Sequence, residues 1–179
     1  MDLNLKIFSL VLVTSVLLVQ ACKQNDELPA RSTNLAKPSI QCKVNGASWK
    51  SCEPGIVGQM DGIFAEWRGD NVIGNSFVVE GISSCNVFKT NLYIFIKDFT
   101  GPGRYLLNEI NYGAFQEFNY KPISISFKTN QTHYGEVQIT ALDTVRSIIS
   151  GTFYFNAFNA DSNRVVKIED GTFVNINYY

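Results

Sequence analysis

Apolar and polar residues alternate through most of the chain from residue 40 onward, which is the period of a half-buried β-strand. The alternation is clearest in residues 91–97, 123–127 and 149–157. About ten such runs occur at spacings of about twelve residues, with turn-forming residues between most of them. None of the runs has the apolar stripe of a helix. The pattern therefore predicts a single all-β domain over residues 40–179.

The first two runs are separated by the strongest turn signal in the sequence, Asn45-Gly46. A two-residue type I′ turn needs two positive φ angles, and this pair tolerates them. A loop of these two residues places Cys42 opposite Trp49 on neighbouring strands. The residues expected on the core face of this hairpin are Ile40, Cys42, Val44, Ala47 and Trp49.

Short connections between the runs require antiparallel pairing, because a parallel crossover needs about a dozen residues or more. We therefore expect an antiparallel β-sandwich of about ten strands. A flattened lipocalin-like barrel is the alternative, since strand periodicity does not distinguish the two.

The N-terminus has the features of an export signal. Residues 7–19 form an uncharged run that is too short to span about 30 Å of hydrocarbon, but has the length of a signal-peptide core. Val19-Gln20-Ala21-Cys22 resembles the lipobox of bacterial lipoproteins. The resemblance implies a signal peptide over 1–21, cleavage before Cys22, and attachment of acyl chains such as palmitate to Cys22. A secretory peptide with a chance cysteine is the alternative.

Residues 22–39 are predicted to be the lipidated N-terminus and a flexible tether, since they include two prolines and show no sustained period. Residues 23–27 partly resemble the acidic signal that exports some Bacteroidota lipoproteins to the cell surface. We therefore expect a lipid anchor in the outer membrane, with the domain on the cell surface or on the periplasmic face.

Composition and charge narrow the classes of partner. The chain has 15 Lys and Arg against 16 Asp and Glu, for a formal net charge of −1. A nucleic-acid binder would carry a basic stripe for phosphates, so no nucleic-acid partner is expected. No cofactor-binding motif occurs in the sequence, and no cofactor is expected.

Besides Cys22, the chain contains Cys42, Cys52 and Cys85. Cys42 falls on the core face of the first hairpin and is expected to be a small buried hydrophobic residue. Cys52 and Cys85 fall in turns, where they can meet without breaking a sheet, and we predict a disulfide between them. No metal site is expected, because the cysteines lack the spacing of zinc ligands and His133 lies in a polar turn.

The sequence contains no nucleophile elbow, zinc-protease helix motif, phosphate-binding loop or dinucleotide fingerprint. Glycosidases use two carboxylates at a defined separation, but separations cannot be read from the sequence. The glutamates that fall on predicted strands are Glu66, Glu80, Glu117 and Glu136. Outward-facing charges on a sheet are the simpler explanation for all four, and no catalytic residue or enzymatic activity is predicted.

Three motifs carry a resemblance to a known group of proteins. They are Val44-Asn45-Gly46 followed by Trp49, the stretch SGTFYF at residues 150–155, and the stretch VKIEDGTF at residues 166–173. Together they resemble a group of Bacteroidota lipoproteins built on a domain of unknown function. The resemblance implies a shared fold and location, and it brings no catalytic residues.

Two functions are compatible with the sequence. The first is a non-catalytic binding or structural module at the cell envelope, which holds a protein or a glycan on the exposed side of a sheet. Its candidate aromatic platform is Tyr112, Phe118 and Tyr120. The second is a carrier of a small apolar ligand inside a barrel, lined by residues such as Phe95, Phe127, Phe153 and Phe155. An interior cavity of about 300 Å³ or more would favour the carrier.

Overall fold

The structure is a computed structural model that describes residues 35–52, 62–70, 74–83, 89–118 and 124–179. The described residues contain eleven β-strands and no helix, which confirms the predicted all-β class. The first six strands are β1 (Ser39–Val44), β2 (Ala47–Lys50), β3 (Ile63–Asp70), β4 (Gly74–Ser83), β5 (Lys89–Lys97) and β6 (Gly103–Leu107). The other five are β7 (Tyr112–Phe118), β8 (Ser124–Lys128), β9 (Gly135–Asp143), β10 (Ile148–Asn159) and β11 (Arg164–Asn177).

All the strands belong to one antiparallel sheet with the order β2-β1-β11-β10-β8-β7-β5-β4-β3. Strand β9 pairs with the first part of β10, and β6 pairs with the outer edge of β9. The sheet curls, so that β3 approaches the end of β11, where the Trp67 N–H donates to the Tyr179 carbonyl over 3.0 Å. This curled sheet is compatible with a sandwich or with a flattened barrel.

The first hairpin forms as predicted. Asn45 and Gly46 have φ angles of 50° and 82°, as a type I′ turn requires. Cys42 pairs with Trp49 in the predicted register. Ile40, Cys42 and Trp49 are buried and Val44 packs against the core, whereas Ala47 is exposed at the edge strand.

The concave side of the sheet holds one hydrophobic core to which most of the strands contribute. Phe127, Phe153 and Phe155 lie in it, as expected of interior positions. Phe95 does not: it alternates with the buried Ile94 and Ile96 and projects from the opposite face of β5. The carrier hypothesis places Phe95 inside with the other phenylalanines, and for that residue the expectation is wrong.

Aromatic rings in the core pack directly on glycine backbone. A β-carbon built on Gly113 would lie 2.7 Å from the Phe155 ring, and Gly171 is in similarly close contact with the ring of Phe153. Both glycines therefore leave room for a ring of β10. The interior around these two phenylalanines is filled.

Strand β11 is a single long strand with an irregularity in its middle. Asp170 has a positive φ of 52°, and the pairing of β11 with β10 shifts between Phe153 and Phe155. The pairing of β1 with β11 also shifts, between Gln41 and Lys43. Bulges of this kind bend a sheet locally and redirect side chains.

The predicted signal peptide, Cys22 and most of the predicted tether lie outside the described residues. Residues 35–38 precede β1 without regular structure. Among the described residues, none forms a helix long and apolar enough to cross a membrane.

Candidate functional site

A groove of about 740 Å³ lies on the outward face of the sheet, where β9, β10 and β11 run side by side. The alternation along β10 explains its lining, because Phe153 and Phe155 face the core while Thr152 and Tyr154 face outward. The outward side chains that line the groove are Glu136, Gln138, Thr152, Tyr154, Asn156, Lys167, Glu169, Asp170 and Thr172. Apart from the tyrosine ring these side chains end in polar groups, and the groove is also lined by Phe153, Phe155, Ile168 and Gly171.

Tyr154 is the aromatic side chain available at this surface. It is 54% exposed and pairs directly with Glu136 of β9. On its other side, the shift in the pairing of β10 with β11 leaves it without a directly paired residue. The bulge in β11 therefore widens the surface beside the ring and contributes to the concave shape of the groove.

Each carboxylate of the groove forms an ion pair with a basic side chain. The N–O distances are 2.8 Å for Lys43–Asp170, 2.7 Å for Lys167–Glu169 and 3.8 Å for Arg104–Glu136. The hydrogen bond to Asp170, followed by its charge, raises the pKa of Lys43 above its usual value, and the same contact lowers the pKa of Asp170. Lys43 and Asp170 therefore both stay ionised near neutral pH.

Uncharged polar groups lie between the ion pairs. Thr152 pairs with Gln138 on one side and with Thr172 on the other, so three hydrogen-bonding side chains form a row across the groove. The Thr172 hydroxyl is buried and has no hydrogen-bond partner in the described part of the chain. Asn156 adds an amide at the outward position of β10 that follows Tyr154.

This arrangement suits a ligand that has both an apolar face and many hydroxyl groups. An exposed tyrosine ring can pack against C–H groups, while amides, hydroxyls and carboxylates donate and accept hydrogen bonds around it. Among the described residues, no cluster of His, Cys, Asp or Glu is arranged to hold a metal ion.

The four glutamates singled out in the sequence each contact a different partner. These contacts are Glu66 with Arg68, Glu80 with Asn91, Glu117 with Arg164 and Glu136 with Arg104. Of the four, Glu136 lines the groove. His133 is half-buried in the turn before β9, where its ring stacks on Phe158 at 4.8 Å between ring centroids.

Of the predicted aromatic platform of Tyr112, Phe118 and Tyr120, Tyr112 lies on another part of the outward face and packs with a different set of rings. Tyr112 stacks on Tyr93 and Phe95 of β5, with centroid separations of 5.7 and 5.1 Å, and the Lys128 amine lies 3.7 Å from the centroid of its ring. Phe118 is partly exposed at the end of β7, and Tyr120 lies outside the described residues. Burial is the main reason that the pKa of Tyr93 rises to about 12. These rings pack mainly on one another.

Cys42 is a buried free thiol in the core, as expected for a small hydrophobic residue. Burial raises its pKa from 9.0 to about 12. Cys52 is buried where the chain leaves β2, and its N–H donates to the Ile82 carbonyl over 3.0 Å. Cys22 and Cys85 lie outside the described residues.

Tyr154 was not recognised as a site residue from the sequence. The signal was nonetheless present, because Tyr154 alternates with Phe153 and Phe155 and so had to face away from the core. Its neighbours Glu136 and Glu169 come from other strands, and the cross-strand register places them beside it.

Comparison with known proteins identifies the domain and leaves its role open. The model of a protein family that is described as a domain of unknown function (DUF6252) matches residues 36–177 of the chain. No curated protein matches the chain. No solved structure matches it either.

Proposed function

Since the chain belongs to the DUF6252 family of domains of unknown function, we propose its function from the surface of the domain. The protein is a non-catalytic module at the cell envelope that binds a glycan in the groove over β9, β10 and β11. The observation that carries the proposal is the exposed ring of Tyr154, enclosed by hydrogen-bonding side chains of three strands. A sugar ring presents an apolar C–H face to such an aromatic ring and its hydroxyl groups to the polar rim.

The rigidity of the groove supports this choice of site. Its side chains project from paired strands, so their spacing is set by the sheet register and by the filled core beneath it. Binding therefore requires little ordering of the protein, which is the usual entropic cost of recognition on loops.

The proposal includes a lipid anchor. Cleavage before Cys22 and acylation of that residue would attach the domain of residues 40–179 to the outer membrane through the tether of residues 22–39. Several acyl chains give stable anchoring, at about 0.8 kcal/mol per buried CH₂ group. The tether would hold the groove clear of the lipid surface, on the outside of the cell or on the periplasmic side.

Labelling of cells with a radioactive or clickable fatty acid tests the anchor. The wild-type protein should incorporate the label, and the Cys22→Ala variant should not. The Cys42→Ala variant is the matched control, because Cys42 is a buried core thiol, and it should be labelled like the wild type. Label that persists in Cys22→Ala would exclude the proposed anchor.

We also propose the disulfide Cys52–Cys85. One observation supports it: of the two cysteines among the described residues, Cys42 is a free thiol and Cys52 is not. Closing the loop between the two positions would stabilise the fold by about 4 kcal/mol on the chain-entropy estimate. With Cys22 acylated, the denatured non-reduced protein should contain one free thiol, and a count of three would exclude the disulfide.

The structure offers less support for the alternative, a carrier of a small apolar ligand. Phe153 and Phe155 pack directly on glycine backbone inside the sheet, and Phe95 lies on the opposite face. The groove of about 740 Å³ is on the outward face and has a polar rim. Its position and lining favour a surface ligand over an enclosed one.

Affinity electrophoresis tests glycan binding directly. The purified full-length chain, in a mild non-ionic detergent, is run through gels containing one polysaccharide each, and retardation reports binding. Tyr154→Ala should abolish the retardation that the wild type shows in at least one gel. Tyr179→Ala is the matched control, since Tyr179 is 77% exposed and does not line the groove.

A further inference from the structure

The groove carries several charged side chains, and their charges cancel once their ion-pair partners are counted. Of the charged residues that line it, Glu136, Glu169 and Asp170 are acidic and Lys167 is basic, which gives a net charge of −2. Two bases outside the lining, Lys43 and Arg104, form ion pairs with Asp170 and Glu136. With these two included, the net charge at the groove is zero.

The ion pairs also form between side chains that are close neighbours on the sheet. Lys43 directly pairs with Glu169 in the register of β1 and β11, and its amine reaches Asp170 next to it. Lys167 and Glu169 project from the same side of β11 two residues apart, and their charged atoms lie 2.7 Å from each other. Each carboxylate of the groove thus has a basic partner, and among the described residues that line the groove no basic side chain is left without an acidic partner.

A charged ligand would have to compete with these contacts. An anionic sugar would displace a carboxylate from Lys43 or Lys167, and a cationic sugar would displace an amine from a carboxylate. An uncharged sugar leaves the ion pairs in place, because hydroxyl groups can donate to the outer lone pairs of a carboxylate that is already paired. The amides of Gln138 and Asn156 are further uncharged partners.

We infer that the ligand of this groove is an uncharged glycan, and that uronic acids, sulfated sugars and amino sugars are disfavoured. The inference rests on the proposed function and narrows its ligand class. Because no net charge contributes to the attraction, binding should be nearly independent of ionic strength.

A charge-graded panel of polysaccharides tests the inference. Dextran, laminarin and xyloglucan serve as uncharged probes, alginate and polygalacturonate as anionic probes, and chitosan at pH 6 as the cationic probe. We expect retardation by at least one uncharged probe, removed by Tyr154→Ala, and a change in affinity of less than about twofold between 50 and 500 mM NaCl. Gels that contain a charged probe should retard the protein at least about tenfold less than the gel with the best uncharged probe does.

The outcomes separate this inference from the proposed function. If a charged probe binds best and Tyr154→Ala removes that binding, the groove binds glycans but the inference of an uncharged ligand is wrong. If no probe binds, or if Tyr154→Ala binds as the wild type does, the proposed function is wrong and the inference fails with it.

Removal of one charge from the rim gives a second test. Lys43→Ala leaves Asp170 without its basic partner and makes the groove net negative. Affinity for the uncharged probe should change by less than about threefold, while salt-sensitive binding of chitosan should appear. Lys128→Ala removes an exposed lysine from the face over Tyr112 and is the matched control, which should not acquire chitosan binding. An equal gain of chitosan binding in both variants, or no gain in either, would contradict the inference that the charges of the groove compensate one another.

Discussion

Trp49 packs against the backbone of Gly81, although the two residues lie on different hairpins. A β-carbon built on Gly81 would be 3.1 Å from Cη2 of Trp49, and the indole N–H donates to the Thr90 hydroxyl over 2.8 Å. The contact joins β2, at one edge of the sheet, to β4 and β5 near the other edge. It holds the sheet in its curled form.

Loss of this contact should therefore destabilise the whole domain. Trp49→Ala removes a large buried ring and leaves a cavity, for which we expect a loss of about 3–5 kcal/mol in the free energy of unfolding, measured by urea denaturation. Ser48→Ala, at an exposed position of the same strand, should change the free energy by about 0.5 kcal/mol or less. Equal stability of the two variants would show that the indole does not hold the edge strand in place.

The contact between Gly113 and Phe155 gives a second prediction about the core. In Gly113→Ala the new methyl group would lie 2.7 Å from the ring, so the ring or the strand must shift. We expect a loss of about 1–3 kcal/mol, measured by thermal or urea unfolding. Gly69→Ala is the control because its nearest neighbouring atom, Oδ1 of Asn75, is 3.5 Å from the added carbon. A neutral Gly113→Ala would mean that the interior is less filled than the contact indicates.

The buried thiol of Cys42 makes stability depend on pH in the alkaline range. Its pKa is about 12 in the folded protein, against 9.0 ordinarily, because burial disfavours the thiolate. The unfolded chain releases this proton first, so the contribution of Cys42 is complete below pH 9 and is lost as the pH rises toward 12. The slope is at most about 1.4 kcal/mol per pH unit.

Other groups also titrate in this range, so the comparison is with Cys42→Ala. The variant should lose stability less steeply between pH 9 and pH 11, as measured by urea unfolding at each pH. In the folded wild type, the thiol should also resist alkylation by iodoacetamide at pH 8 and react once the protein is unfolded. Rapid alkylation of folded protein at pH 8 would contradict the burial of Cys42.

Much of the fold could be predicted because the responsible interactions are local. Asn45-Gly46 determines its own turn and therefore the register of Cys42 with Trp49. Alternation along β5 assigns Ile94 to the core. Residue type alone predicts an interior position for Phe95, but its place in the same alternation puts it on the other face.

The groove could not be predicted because it depends on pairing between distant parts of the chain. Asp170-Gly171 has the sequence of a turn, yet it forms a bulge within β11 because strands pair with it on both sides. Lys43 and Asp170 are far apart in sequence and become an ion pair only through the register of β1 with β11. Strand periodicity specifies which face a side chain occupies, but it does not specify which side chains become neighbours.

The central claim is that the groove around Tyr154 binds an uncharged glycan, and a calorimetric titration of the retarding uncharged polysaccharide tests it most directly. Titrations of the wild type, Tyr154→Ala and Tyr179→Ala are compared, after circular dichroism has shown that all three are folded. We predict that Tyr154→Ala weakens binding by at least about tenfold, as expected for the loss of a central aromatic contact, and that Tyr179→Ala binds as the wild type does. Unchanged affinity in folded Tyr154→Ala would contradict the claim.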